Sequence, residues 1–291
     1  MMESKGLTVT IIFEAESANY GESLGNVASL KKITRGKGEQ YTYISRQALR
    51  YNIVEQLGEP LTPVKGEGSG DKKVMQFKAE TTIADYPELD FFGYLKTQKG
   101  SNGKKRSAKV RLSNAISLDT FKNDTDFLTN KGLADRENEP MNLAQAEIHR
   151  SYYRYTLTID LDQIGIDVVD GIELDNTEKN RRVDKLLGTI EYLYRDIRGR
   201  REDLKPLFII GGVYDVKNPI FQNVVNVEEG ILQINPIKSV LSKRVIDDTF
   251  CGIVDDEFKN TEEIKNELFA VNIAECLENI RKKVAEYYES N

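Results

Sequence analysis

Leu7, Val9, Ile11 and Phe13 alternate with Thr8, Thr10 and Ile12, a period of two that predicts a strand buried on one face. The same alternation is clearest over Tyr152–Leu161. There Tyr153, Tyr155, Leu157, Ile159 and Leu161 share one side, opposite Tyr152, Arg154, Thr156, Thr158 and Asp160. Between these strands the pattern changes repeatedly. Glu14–Asn26 reads as a polar loop with Gly21 and Gly25, and a helix over Ser45–Leu57 stops at Gly58 before Pro60 and Pro63. KGEGSGDKK (65–73) reads as a flexible loop. Two apolar runs, Phe91–Leu95 and Val110–Leu118, flank the basic segment KTQKGSNGKKRS, which predicts a hairpin turning at Asn102-Gly103. Lys122–Gln145 is polar and predicts an extended insertion. Val183, Leu186, Leu187, Ile190, Tyr194 and Ile197 recur at helical spacing, so a second helix is expected over Thr177–Ile197. Leu207–Val213 predicts a buried strand, Ile231–Ile234 the end of another at Asn235-Pro236, and Thr261–Glu289 a final helix.

This order fits an α+β fold, a ferredoxin-like palm with grafted elaborations. The strands that would complete one sheet are spread from residue 7 to residue 235, so residues 1–291 are expected to form a single elaborated domain. Cys251 and Cys276 lie far apart and form no CxxC pair, which predicts neither a disulfide framework nor a zinc site and suits a cytoplasmic protein. No apolar run approaches a membrane span.

The net charge of −6 argues against nucleic acid until its distribution is considered. Residues 1–118 hold 18 Lys+Arg against 13 Asp+Glu, and the remainder 23 against 34. Between Phe91 and Leu118 stand Lys96, Lys99, Lys104, Lys105, Arg106, Lys109 and Arg111, with no acidic residue among them. Local basic stripes of this kind set where phosphate binds, and charge polarity suits head-to-tail stacking of identical subunits.

The chemistry-bearing segments favour binding over catalysis. Asp71 and Lys73 break a phosphate-loop pattern at Gly70-Asp71-Lys72-Lys73. His149 is the single histidine, so no triad and metal site can share it. Acidic pairs at Asp124/Asp126 and Asp167/Asp170 and the run Asp255-Asp256-Glu257 lack a metal-binding spacing. At Tyr43–Arg50, Ser45 can cap a helix whose first turns carry Arg46, Gln47 and Arg50, a site shaped for phosphate or a plain capped start with two solvated arginines. The segment Gly211–Asn223 reads as a loop with Lys217 beside an apolar tip, Ile220 and Phe221, that either wedges between bases or folds back into the core.

The segments LTVTIIFEAESANYGES, YTYISRQALRYNI and GGVYDVKNPIF, with the hairpin DFFGYLK…KKRSAKVRLSNAIS, resemble the repeated backbone subunit of type I CRISPR Cascade in its DevR branch, subtype I-B. The resemblance implies an RRM-like palm, a finger insertion at 59–150 and a β-hairpin thumb at 211–231. By motif position, Ser45, Gln47 and Arg50 would hold guide-RNA phosphates, with Arg46 beside them. Asn19, Lys31, Lys32 and Arg35 would extend the track, Lys104, Lys105 and Arg106 would add the basic hairpin, and Lys217, Asn218 and Phe221 would lie on the thumb. The RNP aromatic motifs of ordinary RRMs are not recognisable. The implied function is a non-catalytic scaffold, with no cofactor and no metal, that polymerises along guide RNA and supports its pairing with target DNA. Implied partners are further copies head-to-tail, a guide-end capping subunit, large and small subunits and the repeat-processing endoribonuclease, with no membrane. The alternative is a metal-dependent ribonuclease of the related type III kind using Asp124 or Asp126. A transcriptional regulator would need a helix-turn-helix, which the sequence does not show.

Overall fold

The computed structural model describes residues 3–67, 73–97 and 103–291, and the expected turn at Asn102 and most of the 65–73 loop lie outside these. Strand β1 (Gly6–Ala15) is buried almost throughout, on both faces and not on one. The segment expected to be a polar loop, 14–26, instead contains β2 (Tyr20–Leu24), which pairs with β3 (Val27–Leu30) just beyond it, and a second hairpin, β4 (Lys32–Arg35) with β5 (Glu39–Ile44), leads into α1 (Arg46–Gln56). Ser45 caps α1 by accepting from the Ala48 amide at 3.3 Å, Leu49 and Ile53 bury its inner face, and Gly58 ends it at φ +65°.

After α1 come the hairpin β6 (Val64–Glu67) with β7 (Val74–Phe77), helix α2 (Pro87–Phe92), and β8 (Tyr94–Lys96) paired with β9 (Lys104–Arg106). The apolar run at Phe91 therefore begins in a helix, with Pro87 in its first turn. Strands β10 (Val110–Leu112) and β11 (Ala115–Ser117) return to the main sheet and do not extend the basic hairpin. Residues 122–145 are structured: β12 (Asp124–Thr129), α3 (Lys131–Glu137) and β13 (Leu143–Ile148) form an arm that joins β2 and β3 in a separate four-stranded sheet.

Strand β14 (Ser151–Asp160) follows, then the short pair β15 (Ile166–Asp167) and β16 (Ile172–Glu173), and α4 (Asn176–Glu191), capped by Asp175. Helix α4 is shorter than its spacing predicts. Tyr194 and Ile197 belong to β17 (Tyr194–Ile197), which turns through Arg198 and Gly199, both at positive φ, into β18 (Arg200–Asp203). A two-residue turn of that kind matches strand twist.

Strand β19 (Phe208–Tyr214) contains Gly211 and Gly212, so the glycine pair is central sheet and not loop. A Cβ at Gly211 would stand 2.0 Å from the Thr8 carbonyl oxygen and one at Gly212 1.8 Å from that of Asp248. Beyond it lie β20 (Val227–Glu228), β21 (Ile231–Leu232), α5 (Ile234–Val240) and β22 (Thr249–Ile253). The expected last helix is two: α6 (Thr261–Leu268) ends at Phe269 with φ +51°, and after β23 (Val271–Asn272) Asn272 caps α7 (Ile273–Glu289).

The main sheet runs β23-β22-β19-β1-β14-β11-β5-β4, with β10 also paired to β14. Within it, β1, β10, β14 and β19 alternate with α1 and α4 along the chain, and the spatial order is fourth, first, third, second. All the pairs among these four strands are antiparallel. Helices α1, α4 and α7 cover one face, where Leu7, Val9, Ile11, Phe13, Tyr153 and Tyr155 meet Leu49, Val183, Leu187 and Ile280. The other face is covered over β22, β19 and β1, where Phe208, Ile210, Ile253 and Ile12 pack on Phe221, Val225, Ile237 and Phe258 and Thr8 and Thr10 are fully buried, and the cover thins beyond β14 toward β11, β5 and β4.

Candidate nucleic-acid interface

The start of α1 is where the structure gathers most of the expected site. Hairpin β4–β5 delivers Ser45 to Asn19, whose Oδ1 accepts from the Ser45 hydroxyl at 2.7 Å and from its amide at 3.3 Å. Lys31 donates its amide to the Asn19 carbonyl at 2.6 Å, so Asn19, Lys31 and Ser45 form one corner. The Arg46 amide donates to Asn114 Oδ1 at 2.9 Å. With Ala48 capped by Ser45, Gln47 is left as the first-turn amide without a protein acceptor among the described residues. The helix terminus is thus largely satisfied internally, and any phosphate there would be held chiefly by side chains.

Those side chains line a cleft of about 490 Å³ formed by Arg46, Gln47, Arg50, Phe92, Ala108, Val110, Arg111 and Leu112. Arg50 is pinned in it, 3.3 Å from Glu88 and 4.9 Å from the centre of the Phe92 ring. Arg111 pairs with Asp160 at 2.9 Å. Arg46 is exposed, and no carboxylate among the described residues lies within ion-pair distance. Sequence reasoning placed Arg111 in a basic stripe without assigning it. Glu88 and Asn114 were missed because nothing in the local pattern ties them to residues 46–50.

The remaining expected residues are more dispersed. Lys32 is held 2.6 Å from Glu147 and over the Phe121 ring, and Arg35 lies exposed over Tyr41. Lys105 is exposed, and Lys104 pairs with Asp170. Arg106 turns inward instead of toward solvent. Its side chain is 5% exposed, pairs with fully buried Asp90 at 2.7 Å and donates to the Gln163 and Ile166 carbonyls. Asp90 also accepts from Arg182 at 3.1 Å and from the Gly165 amide, so this cluster ties α2 and β9 to α4. Desolvation pushes the Asp90 carboxyl upward, against the pull of the Gly165 amide and the two guanidiniums.

The expected thumb does not project. Lys217 pairs with Asp162, and the Asn218 carbonyl accepts from Thr8. Phe221 is 0% exposed, because a turn in which Val224 and Val225 donate to its carbonyl folds the ring into the second core. The element that stands out is the arm β12–α3–β13, which exposes Phe127, Leu133 and Met141. Asp124 and Asp126 lie on its exposed first strand, and no group of metal-ligating side chains forms among the described residues. His149 is packed: Thr42 meets its Nδ1 at 2.8 Å, and burial lowers its pKa.

The fold is an α+β sheet backed by helices, with a cleft lined by Arg46, Arg50 and Arg111 where the first helix begins. Residues 7–231 match the family described as CRISPR-associated negative auto-regulator DevR/Csa2, and the chain belongs to that family. The fold is shared with solved chains of far lower sequence likeness. One, from a CRISPR RNA-guided surveillance complex described as pre-nicking, is 11% identical with a TM-score of 0.61, over 97% of this chain and 100% of that one. A second chain from a CRISPR RNA-guided surveillance complex is 10% identical with a TM-score of 0.54, over 98% and 99%. No curated protein matches the sequence.

Proposed function

We propose that this chain is a non-catalytic guide-RNA-binding subunit that repeats along the guide as the backbone of a type I-B Cascade surveillance complex and supports guide pairing with target DNA in antiviral defence. Membership of the DevR/Csa2 family over residues 7–231 carries the reading. The strand order and the two crossover helices support an RRM-like palm; in this reading the finger expected at 59–150 is cut back to 59–109, because β10 and β11 join the main sheet, and the arm at 124–148 takes the role expected of a thumb at 211–231. In the cleft, Arg46, Gln47 and Arg50 grip guide phosphates from α1, with Arg111 opposite.

Stacking of copies has a physical basis in two exposed patches. The arm carries Phe127, Leu133 and Met141 among Asp124, Asp126, Asp135, Glu137 and Glu139, which outnumber Lys131, itself paired with Asp135, and Arg136. Hairpin β6–β7 exposes Val64, Val74 and Met75 beside Lys65, Lys73 and Lys78. Apolar surface of this kind marks contact sites, and a heterologous contact between opposite charges generates an open filament. The filament would be closed by a guide-end capping subunit and joined by large and small subunits in the cytoplasm.

Coexpression with a guide tests the reading: the protein should co-elute with protected RNA, leave complementary RNA uncut in Mg²⁺, and bind less tightly and with a shallower salt dependence after Arg50→Ala. Protein that purifies free of RNA from cells making the guide would refute it.

A further inference from the structure

Where the cover of the second face ends, β14 holds an arginine that no carboxylate among the described residues balances. Arg154 projects from β14 on the face opposite Tyr153 and Tyr155, and its neighbours across the sheet are Ile116 of β11 and then Tyr43 of β5. It is partly buried, yet no carboxylate among the described residues comes within ion-pair distance, and one guanidinium nitrogen donates to the Val225 carbonyl. The charge that reaches it is another cation, Arg35 of β4, and together burial and Arg35 bring its pKa down to about 10. Arg35 is itself exposed over the Tyr41 ring, with Tyr41 and Tyr43 on the same face of β5. Glu39, across from Arg35 in the hairpin, instead accepts from the Tyr41 hydroxyl at 3.2 Å. A desolvated guanidinium beside a like charge is unfavourable in the free protein, and elsewhere this chain partners its buried arginines: Arg106 and Arg182 with Asp90, Arg195 with Glu202.

We infer that Arg154 and Arg35 form a second anion site, at the margin where the covered part of the sheet gives way to β11, β5 and β4, which takes a phosphodiester of a nucleic-acid strand lying across Ile116 and Tyr43. The inference rests on the guide-binding reading but assigns a surface separate from the α1 cleft. The phosphodiester belongs to the guide itself or to the target strand paired with it. Either source supplies the missing countercharge, and a planar guanidinium holds a phosphate through two parallel hydrogen bonds.

The test uses the full chain coexpressed with its guide, as wild type, Arg154→Gln and Arg154→Lys, with thermal unfolding of the RNA-free protein as a companion measurement. Removing an unbalanced cation should leave the melting temperature of Arg154→Gln unchanged or higher. Affinity for guide, or of the guide-loaded particle for target DNA, should fall at least about tenfold, and the salt slope should drop by about 0.7. Arg154→Lys should recover part of the salt slope, because the charge remains while the fork is lost. A loss in the guide arm identifies the guide backbone, and a loss confined to the target arm identifies the target strand. Unchanged affinity in both arms, with wild type binding guide normally, overturns this inference and leaves the proposed function standing. A large drop in melting temperature with unchanged affinity overturns it in favour of a purely structural arginine. If wild type binds no guide at all, the functional reading fails first.

Discussion

Replacing Phe221 with alanine separates two roles for the segment after β19. The ring is fully enclosed with Phe208, Ile210, Tyr214, Val225 and Phe258 in the core on the second face of the sheet. Returning such a side chain to water forfeits up to about 3 kcal/mol of transfer free energy. The cavity left behind adds to this, so Phe221→Ala should cost about 3–5 kcal/mol. For a chain of 291 residues, with an unfolding entropy near ~0.6 kcal/mol/K, that is a fall of about 5–8 °C in melting temperature. Urea unfolding followed by tyrosine fluorescence or circular dichroism measures the loss, and Phe221→Leu, which keeps most of the volume, should lose under about 1.5 kcal/mol. Guide affinity of the folded Phe221→Ala protein should change little. A variant within 1 kcal/mol of wild type that nevertheless loses guide binding would refute the core assignment and restore Phe221 as a wedge between bases.

Asp90→Ala strands Arg106 in the interior and leaves Arg182 with Glu178 as its carboxylate partner, and it should cost about 3–5 kcal/mol in urea unfolding; a loss below about 1 kcal/mol would mean that Arg106 finds another partner. Gly211→Ala places a methyl 2.0 Å from the Thr8 carbonyl oxygen in the middle of the sheet, and soluble yield should collapse, an outcome checked directly by expression. Burial lowers the pKa of His149, so the folded state keeps its ring neutral while the unfolded chain takes up a proton below the ordinary value of 6.5. Stability should therefore fall as pH drops through that range, and His149→Gln, which removes the single histidine, should flatten the difference in urea midpoint between pH 7.5 and 5.5.

Elements were legible where local chemistry and burial agree. Strands β1 and β14 follow from alternation, most of β19 from an apolar run whose glycine pair reads as loop, and the capped start of α1 from Ser45, because those signals are complete within a few residues. The helix expected through Ile197 failed for an instructive reason: Ile190, Tyr194 and Ile197 keep a helical spacing by coincidence while Arg198-Gly199 imposes a hairpin. The break between α6 and α7 was hidden in the same way, since Phe269 adopts a left-handed conformation that its side chain does not advertise. The polar stretch at 122–145 was misjudged because its strands gain their hydrogen bonds from one another and from β2–β3, distant in sequence.

The sequence by itself determined that this is an α+β protein with net positive charge over residues 1–118 and a capped start to its first helix, because charge, capping and period two are local properties. Tertiary structure alone decided which cations are available. Arg106 is buried against Asp90, 16 residues away, and Lys217, Lys104, Arg50 and Arg111 pair with Asp162, Asp170, Glu88 and Asp160 nearer the surface, whereas no carboxylate among the described residues reaches Arg154. Whether a charge is balanced depends on which other charges the fold brings within a few ångströms, and that pairing is set by strand order and not by position along the chain.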